Sequence, residues 1–248
     1  MVNVKGKWAL ITGASRGIGY LTALFMADQG CNLILHARKE ENAAKVLEEA
    51  KAKGVQAHVV AAELTDLTQV DAMLKKIDDL GVNVEIVLNN AGLQIAYRTE
   101  YLKTPVSDYT ESFKINTIAP AMIMYHFLPK MMEKGFGRIL NTTSGIALDP
   151  QQAGYSASKA ALDKITIDLG SKVQGTDVCI NLTDPGWCRT DLGGPSAPNA
   201  PESAIPGIVV GAFIDDKKSG RNLGAQNFAG MTLEAAVAKA EAEFKSPY

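Results

Sequence analysis

The chain has 248 residues, 46% of them hydrophobic and 21% charged, and its 25 lysines and arginines nearly balance 27 acidic residues, for a net charge of −2. This composition fits one globular domain with a large apolar core and excludes disordered and fibrous proteins, while the lack of a basic excess argues against a nucleic-acid partner. No long apolar run or signal-peptide core is present, and three scattered cysteines fit a reducing compartment, so we expect a cytoplasmic protein that does not enter a membrane.

Short apolar runs alternate with amphipathic stretches along the whole chain. Strands are predicted at residues 8–11, 32–36, 56–61, 84–88, 138–142 and 178–182. Helices are predicted at residues 17–29, 41–53, from an N-cap at 65–66 to 80, at about 107–133, at 155–173 and at about 232–244. Pro120 and Pro129 should bend or end the longest of these helices. Strands without two-residue alternation, separated by helices, predict an α/β fold in which a parallel sheet is covered on both faces.

The first predicted strand runs through a glycine-rich segment directly into a helix. The segment reads Thr12-Gly13-Ala14-Ser15-Arg16-Gly17-Ile18-Gly19. Glycine permits a tight turn without a Cβ, and the amides at a helix start favour negative charge. This context predicts a phosphate-binding loop, although a turn that only packs strand against helix would need the same glycines.

Two further motifs accompany this loop: Asn89-Asn90-Ala91-Gly92 after the fourth strand, and Tyr155-x-x-x-Lys159 in a helix. The three motifs, of which the first has the pattern T-G-x-x-x-G-x-G, occur in the order and at the distances found in the short-chain dehydrogenase/reductase family. Residues 5 to about 190 therefore resemble this family. The resemblance implies one Rossmann-type domain over residues 1–248, with a doubly wound parallel sheet of about seven strands flanked by helices on both faces. It also implies dinucleotide contacts from Gly13, Ser15, Gly17, Ile18, Gly19, Leu64, Asn90, Ala91, Gly92, Tyr155 and Lys159.

The end of the second strand distinguishes the two nicotinamide cofactors. An acidic residue there binds the ribose 2′-hydroxyl of NAD, whereas the 2′-phosphate of NADP needs cations. Arg38 stands at this point and Arg16 lies in the glycine loop, so NADP(H) is predicted, the alternative being two surface ion pairs. By the resemblance, Glu63 replaces an aspartate that contacts the adenine amine, and its carboxylate can accept the same hydrogen bond.

Tyr155 and Lys159 lie four residues apart on a predicted helix, so their side chains share one face. The resemblance makes Tyr155 the general acid/base, and a cationic Lys159 should lower its pKa towards neutrality. It makes Ser144 the donor to the substrate oxygen, with Thr143 as the alternative hydroxyl. It also assigns to Asn116 a water that links Lys159 to solvent. Only ten residues, 145–154, separate Ser144 from Tyr155, which is shorter than usual in the family.

The segment after the sixth strand reads Asp184-Pro185-Gly186-Trp187-Cys188-Arg189-Thr190. It fits the family's P-G-x-x-x-T pattern, which implies nicotinamide contacts from Pro185, Gly186, Trp187 and Thr190. Residues 191–195 resemble the carbonyl-reductase branch more locally. Four prolines within residues 195–206 cannot continue a helix or a central strand, so a lid over the substrate is predicted at about 191–210.

Together these features predict an NADP(H)-dependent oxidoreductase that interconverts a carbonyl and a secondary alcohol of a small molecule. By the resemblance it should be a homo-oligomer, a dimer or a tetramer. No metal is expected, because His36, His58 and His126 lack ligand spacing. The alternatives are a non-catalytic dinucleotide sensor or scaffold, which the intact set of Ser144, Tyr155 and Lys159 disfavours, and another reaction on this scaffold, such as enoyl reduction or epimerisation.

Overall fold

The apolar runs form the strands of a single sheet in a computed structural model that describes residues 1–248. All neighbouring strands are parallel and their order is β3-β2-β1-β4-β5-β6-β7. The strands are β1 Trp8–Ile11, β2 Asn32–Ala37, β3 Ala57–Ala61, β4 Val84–Asn89, β5 Gly137–Thr142, β6 Val178–Asp184 and β7 Asn222–Gly224. The predicted doubly wound, Rossmann-type α/β fold is therefore confirmed. The sequence pattern had not located the three-residue β7.

Seven helices connect or flank the strands. They are α1 Gly17–Asp28, α2 Ala44–Ala52, α3 Leu67–Asp79, α4 Val106–Phe113, α5 Ala119–Lys134, α6 Ala153–Gly170 and α7 Leu233–Glu243. Their apolar sides pack on the strands, and together they form two buried clusters of 34 and 22 residues. Alternate residues of one strand belong to different clusters, as Ile11 and Leu10 of β1 do, so the sheet is covered on both faces.

The long helix predicted at residues 107–133 is divided in the structure. A π-helical turn, Lys114–Ile118, separates α4 from α5. Pro120 lies in the first turn of α5, where its missing N–H costs nothing. The helix does not end at Pro129, because Phe127 and Met131 on either side of it are buried against the sheet. No helix is both long and apolar enough to cross a membrane.

Residues after the sixth strand divide into an outer and an inner part. The outer part carries one bridge between Cys188 and Asn199 and a short 3-10 helix, Pro201–Ala204. The inner part includes Ile208 and Val209, which are buried in the larger apolar cluster. Cys188 and Ala204 of the outer part also belong to that cluster, so only the stretch between them can move without opening the core.

The carboxyl ends of the parallel strands meet at one edge of the sheet. Strand order reverses between β1 and β4, since β1 continues to β2 on one side and β4 continues to β5 on the other. Ligands of doubly wound sheets bind in the crevice outside such a reversal. The glycine loop after β1 and the Asn-Ala-Gly motif after β4 lie on its two sides, so the topology brings the predicted motifs together.

Candidate active site

One cleft with a volume of about 1600 Å³ lies along this edge of the sheet. Every residue predicted for the site lines the cleft except Asn116. The lining members are Gly13, Ser15, Arg16, Gly17, Ile18, Gly19, Arg38, Glu63, Leu64, Asn90, Ala91, Gly92, Ser144, Tyr155, Lys159, Pro185, Gly186, Trp187 and Thr190. Segments that are far apart in sequence thus share one surface.

The glycine loop presents a row of free backbone donors to the cleft. The N–H groups of residues 15–19 make no hydrogen bond within the chain, because they precede or begin α1. Gly13 and Gly17 have φ values of +67° and +56°, which glycine adopts without strain. A Cβ at Gly19 would lie 2.1 Å from the Gly13 carbonyl oxygen, so this position requires glycine. The loop is shaped for an anion.

The Asn-Ala-Gly motif after β4 supports the glycine loop from the side. Asn90 Nδ2 donates to the Thr12 carbonyl oxygen at 3.0 Å, and the Ala91 N–H donates to Thr12 Oγ1 at 3.0 Å. Gly92 lies deeper in the cleft. A Cβ there would be 3.3 Å from Asn116 Oδ1 and 3.6 Å from Lys159 Nζ. The motif therefore connects the glycine loop to the part of the cleft that contains Lys159.

His36, at the end of β2, supports the same loop from below. Its Nδ1 accepts from the Gly13 N–H at 3.1 Å, and its Nε2 lies 3.0 Å from the Ala62 carbonyl oxygen. The side chain is buried, and burial lowers the pKa of the imidazole. The sequence pattern had indicated no role for His36, since only metal ligation was considered. The signal available was a histidine at a buried strand end, two residues before Arg38.

The two arginines predicted to bind a 2′-phosphate both line the cleft but differ in their surroundings. Arg38 is exposed just beyond β2. Arg16 Nη1 forms an ion pair of 2.7 Å with Asp191 Oδ2 in the outer segment after β6, and both side chains are largely exposed, at 65% and 70%. Arg16 thus already has an anionic partner in another segment that lines the cleft.

Glu63 lies at the cleft wall after β3. Its Oε1 accepts from the Thr65 N–H at 3.2 Å and from Thr65 Oγ1 at 3.1 Å, while its own N–H donates to Gln69 Oε1. The carboxylate is therefore held against its own loop. The adenine contact of Glu63 stays a prediction.

Tyr155 and Lys159 lie buried on the first turns of α6. Lys159 Nζ donates to the Thr142 carbonyl oxygen at 2.7 Å and lies 5.9 Å from the centre of the Tyr155 ring. Burial lowers the pKa of Lys159 to about 8, although the charges of Asp163 and Asp184 act in the opposite direction. The ammonium form therefore still predominates at neutral pH.

The pKa of Tyr155 is raised, which reverses the direction expected from the sequence. Burial is the main cause, since it disfavours the phenolate, and the negative charge of Asp184 adds to it. The Ser144 hydroxyl acts in the opposite direction as a hydrogen-bonding neighbour. In the protein without ligand, Tyr155 is thus a protonated phenol at neutral pH.

Ser144 is better placed than Thr143 to contact a ligand. The Ser144 side chain is half-buried next to Tyr155, and its Oγ accepts from the Ile146 N–H at 3.3 Å. The Thr143 hydroxyl is fully buried. Of the two hydroxyls that the sequence left open, only that of Ser144 can reach a molecule in the cleft.

Asn116 is fully buried in the π-helical turn and lies behind the cleft wall. Its Oδ1 accepts from the Leu93 N–H at 2.9 Å, and its Nδ2 donates to the Leu93 carbonyl oxygen at 2.8 Å and to Ser158 Oγ at 3.0 Å. The amide therefore fastens the segment after β4 to α6. Its predicted water-holding role is untested by these contacts.

Two carboxylates that the motifs had not singled out complete the electrostatics of the site. Asp184 Oδ2 accepts from the Gly145 N–H and Asp184 Oδ1 from the Gly186 N–H, each at 2.8 Å. This side chain joins the loop carrying Ser144 to the loop predicted beside the nicotinamide. Asp163 lies one turn after Lys159 on α6, and its charge favours the ammonium form of that lysine. The acid directly before Pro185-Gly186 was a visible signal in the sequence.

The remaining wall of the cleft comes from the segment after β6. Trp187 is 57% exposed and donates from Nε1 to the Gly193 carbonyl oxygen at 2.7 Å. A Cβ at Gly17 would lie 3.4 Å from the Thr190 methyl group, so Thr190 adjoins the glycine loop. Ile146, Trp187 and Leu192 give this end of the cleft an apolar surface. No group of three or more potential metal ligands is present.

A family model described as short chain dehydrogenase matches residues 7–200 of the chain. An uncharacterised oxidoreductase, YvrD of Bacillus subtilis, is 30% identical over 192 residues, which cover 77% of this chain and 72% of the relative. The 3-oxoacyl-[acyl-carrier-protein] reductase FabG of Aquifex aeolicus is 31% identical over 194 residues, covering 77% of each chain.

Solved structures agree with these matches. A metagenomic short-chain oxidoreductase in complex with NADP is 27% identical to this chain, with a TM-score of 0.69. The similarity covers 76% of this chain and 86% of that chain. With the parallel sheet, the glycine loop and the Tyr155-x-x-x-Lys159 helix, these matches establish that the chain belongs to the short chain dehydrogenase family of oxidoreductases.

Proposed function

We propose that the protein is an NADP(H)-dependent oxidoreductase that interconverts a carbonyl and a secondary alcohol. One observation carries this proposal. The phenol of Tyr155, the ammonium of Lys159 and the hydroxyl of Ser144 line the same cleft as the free backbone donors of residues 15–19. A proton donor and a dinucleotide-binding loop are thus within one continuous surface.

The residues at the cleft fit an NADP molecule. The free amides of residues 15–19 provide donors for the pyrophosphate, and the glycines leave room for close approach. Arg16 and Arg38 line the end of the cleft beside β2, where no acid occupies the discriminating position. The NADP bound to the metagenomic relative supports the same choice. When bound, the nicotinamide ring supplies or accepts the hydride.

The side chains of this protein handle the proton and the charge on oxygen. Tyr155, protonated because of its raised pKa, donates its proton to the carbonyl oxygen, and the resulting phenolate is stabilised by the nearby Lys159 ammonium. Ser144 Oγ–H donates a hydrogen bond to the same oxygen and stabilises the developing charge. At neutral pH Tyr155 is in the protonated form that reduction of a carbonyl requires, so we propose reduction as the working direction.

The substrate end of the cleft favours an apolar carbonyl compound. Ile146, Trp187 and Leu192 line it, and the outer segment, residues 191–203, is proposed as the movable lid. The relative from Aquifex aeolicus is a reductase of 3-oxoacyl groups, which supports reduction of a ketone. We further propose a homo-oligomer that covers exposed apolar side chains of α4 and α5, such as Val106 and Tyr125.

Replacement of Tyr155 by Phe tests the proposed reaction. The variant should lose at least about a hundredfold in turnover, because general acid catalysis contributes on the order of 10² to 10⁴ in rate. NADPH binding, followed by its fluorescence, should be retained, since the ring is kept. A panel of ketones, aldehydes and quinones identifies the substrate by NADPH oxidation. Tyr109→Phe, at an exposed position outside the cleft, is the matched control.

If Tyr155→Phe kept more than about a tenth of the wild-type rate, the acid/base assignment would be wrong, because that loss is far smaller than general acid catalysis supplies. Tight NADPH binding without turnover of any carbonyl would instead indicate a dinucleotide sensor. Tighter binding of NADH than of NADPH would overturn the role proposed for Arg16 and Arg38.

A further inference from the structure

His36 is the one histidine that touches the glycine loop. Its ring is 2% exposed and sits between two backbone groups. The Gly13 N–H donates to Nδ1 at 3.1 Å, and Nε2 lies 3.0 Å from the Ala62 carbonyl oxygen. A further contact fixes the backbone here, since the Ala14 N–H donates to the His36 carbonyl oxygen at 2.9 Å. The backbone N–H groups of Gly13 and Ala14 therefore both donate to His36.

These two ring contacts select one protonation state. Nδ1 must be an unprotonated acceptor, because an N–H group points at it, and Nε2 must carry the proton, because it faces a carbonyl oxygen. The other neutral tautomer would place donor against donor at Gly13 and acceptor against acceptor at Ala62. The imidazolium would satisfy Ala62 but oppose the Gly13 N–H. Only the neutral Nε2–H form keeps both hydrogen bonds.

We propose that His36 is a positioning residue for the phosphate-binding loop: its neutral Nε2–H imidazole holds Gly13 where the free loop amides bind the cofactor pyrophosphate, and a second proton on Nδ1 releases that hold. The inference rests on the proposed dinucleotide binding and goes beyond it, because it makes cofactor affinity depend on a residue that does not touch the reacting atoms. Affinity then falls as the solution becomes acidic.

The groups around the His36 ring determine the pH at which the Gly13 hydrogen bond is lost. Glu63, after β3, faces the imidazole and favours its protonated form, as does the Ala62 carbonyl oxygen. Burial opposes both effects and is the larger influence, so the pKa of His36 lies below its usual value of 6.5. The loop after β1 contributes only uncharged Gly13 and Ala14 at this point. Arg38, two residues later in the chain, is the other charged group near this end of β2 and lines the cleft edge.

The sign of the pH dependence follows from this direction. Above about pH 6.5, both the folded and the unfolded states hold neutral His36, and the loop is held. As the pH falls from about 6.5 through the lower folded-state pKa, the imidazole gains its proton and the Gly13 bond is lost. Loss of one such bond corresponds to roughly a fivefold weaker affinity, by a net hydrogen-bond contribution of about 1 kcal/mol.

The experiment measures dissociation constants of NADPH and NADH by cofactor fluorescence between about pH 5 and pH 8, around the ordinary histidine pKa. NADH is needed because the 2′-phosphate of NADPH itself titrates with a pKa of about 6. His36→Asn keeps an acceptor near the Nδ1 position but cannot be protonated there, so its affinity should resemble the wild type at neutral pH and stay level in acid. His36→Phe keeps a ring without an acceptor and should bind about fivefold more weakly at every pH.

Two measurements keep the outcome independent of turnover. The imidazole resonances of the protein without cofactor should show His36 titrating below about pH 6.5, and the Gly13 amide should shift with the same midpoint. His58→Asn, at an exposed site on β3 that does not line the cleft, is the matched control and should leave the pH dependence unchanged.

The proposal is wrong if wild type and His36→Asn lose NADH affinity equally in acid, or if His36→Phe binds as the wild type does. It is also wrong if the Gly13 amide does not follow the imidazole. If neither nucleotide binds any variant while the two resonances still titrate together, the proposed function fails and the coupling of His36 to the loop stands.

Discussion

Substitution of Asp191 by Asn should make the protein bind NADPH more tightly and leave NADH binding unchanged. Asp191 Oδ2 holds the Arg16 guanidinium at 2.7 Å, and Arg16 is one of the two cations proposed for the 2′-phosphate. The phosphate must therefore displace the carboxylate or share the guanidinium with it. NADH has no 2′-phosphate and does not compete with Asp191 for the Arg16 guanidinium, so NADH binding is the internal control for each variant.

The size of the effect follows from the exposure of the pair. With side chains 65% and 70% exposed, the ion pair is screened by solvent and contributes about 0.2 to 1 kcal/mol. Releasing Arg16 from it should lower the dissociation constant of NADPH by roughly 1.4-fold to fivefold. The gain should shrink as salt is added, because surface charges are screened within about 10 Å at 0.1 M ionic strength.

Fluorescence titration of both nucleotides in a double-mutant cycle tests this reasoning. Asp191→Asn should lose its effect in an Arg16→Met background, because the pair is then already broken. Asp168→Asn removes another largely exposed carboxylate, which pairs with Lys164 on α6 outside the cleft, and serves as the control. Equal improvement of NADH and NADPH, or an effect that persists without Arg16, would refute competition for the guanidinium.

Two predictions concern the charged side chains Lys159 and Asp184 of the cleft. Lys159→Met should abolish turnover yet stabilise the fold at pH 7. The lysine is charged at this pH in both the folded and the unfolded states, so the lowering of its pKa from 10.5 to about 8 corresponds to a free-energy penalty on folding of about 3 kcal/mol. The hydrogen bond of about 1 kcal/mol to the Thr142 carbonyl oxygen offsets this penalty only in part. Thermal unfolding should show a Tm higher by about 4 to 8 °C, and a lower Tm would contradict the penalty. Asp184→Asn leaves the N–H of either Gly145 or Gly186 without an acceptor, so about 1.5 kcal/mol and about 3 to 6 °C of Tm should be lost. Without the Asp184 charge the pKa of Tyr155 falls, so the pH profile of alcohol oxidation should move to lower pH, and an unchanged profile would argue against that influence.

Local patterns were enough to predict the architecture and the place of the site. Six of the seven strands were predicted from their apolar runs, and five of them are buried along almost their whole length, which makes the pattern visible without any partner. The glycine loop was visible for a related reason, since a tight turn between a strand and a helix demands glycine at fixed positions. The short β7 carries no such run and forms only because β6 offers it an edge.

The electrostatics of the cleft depended on contacts that the sequence does not display. The pKa of Tyr155 rises because α6 buries it and β6 brings Asp184 close, although the motif alone suggested a lower value. Arg16 meets Asp191, and His36 meets Gly13, only when the loops converge over the end of the sheet.

The sequence by itself thus determined most of the secondary structure and the parallel sheet, because backbone preferences and apolar periodicity act over a few neighbouring residues, and its motifs indicated which residues gather at the carboxyl edge. Only the tertiary structure decided which of those residues share a proton, a charge or a hydrogen bond, because these interactions act over a few ångströms in space between residues as far apart as 175 positions in the chain.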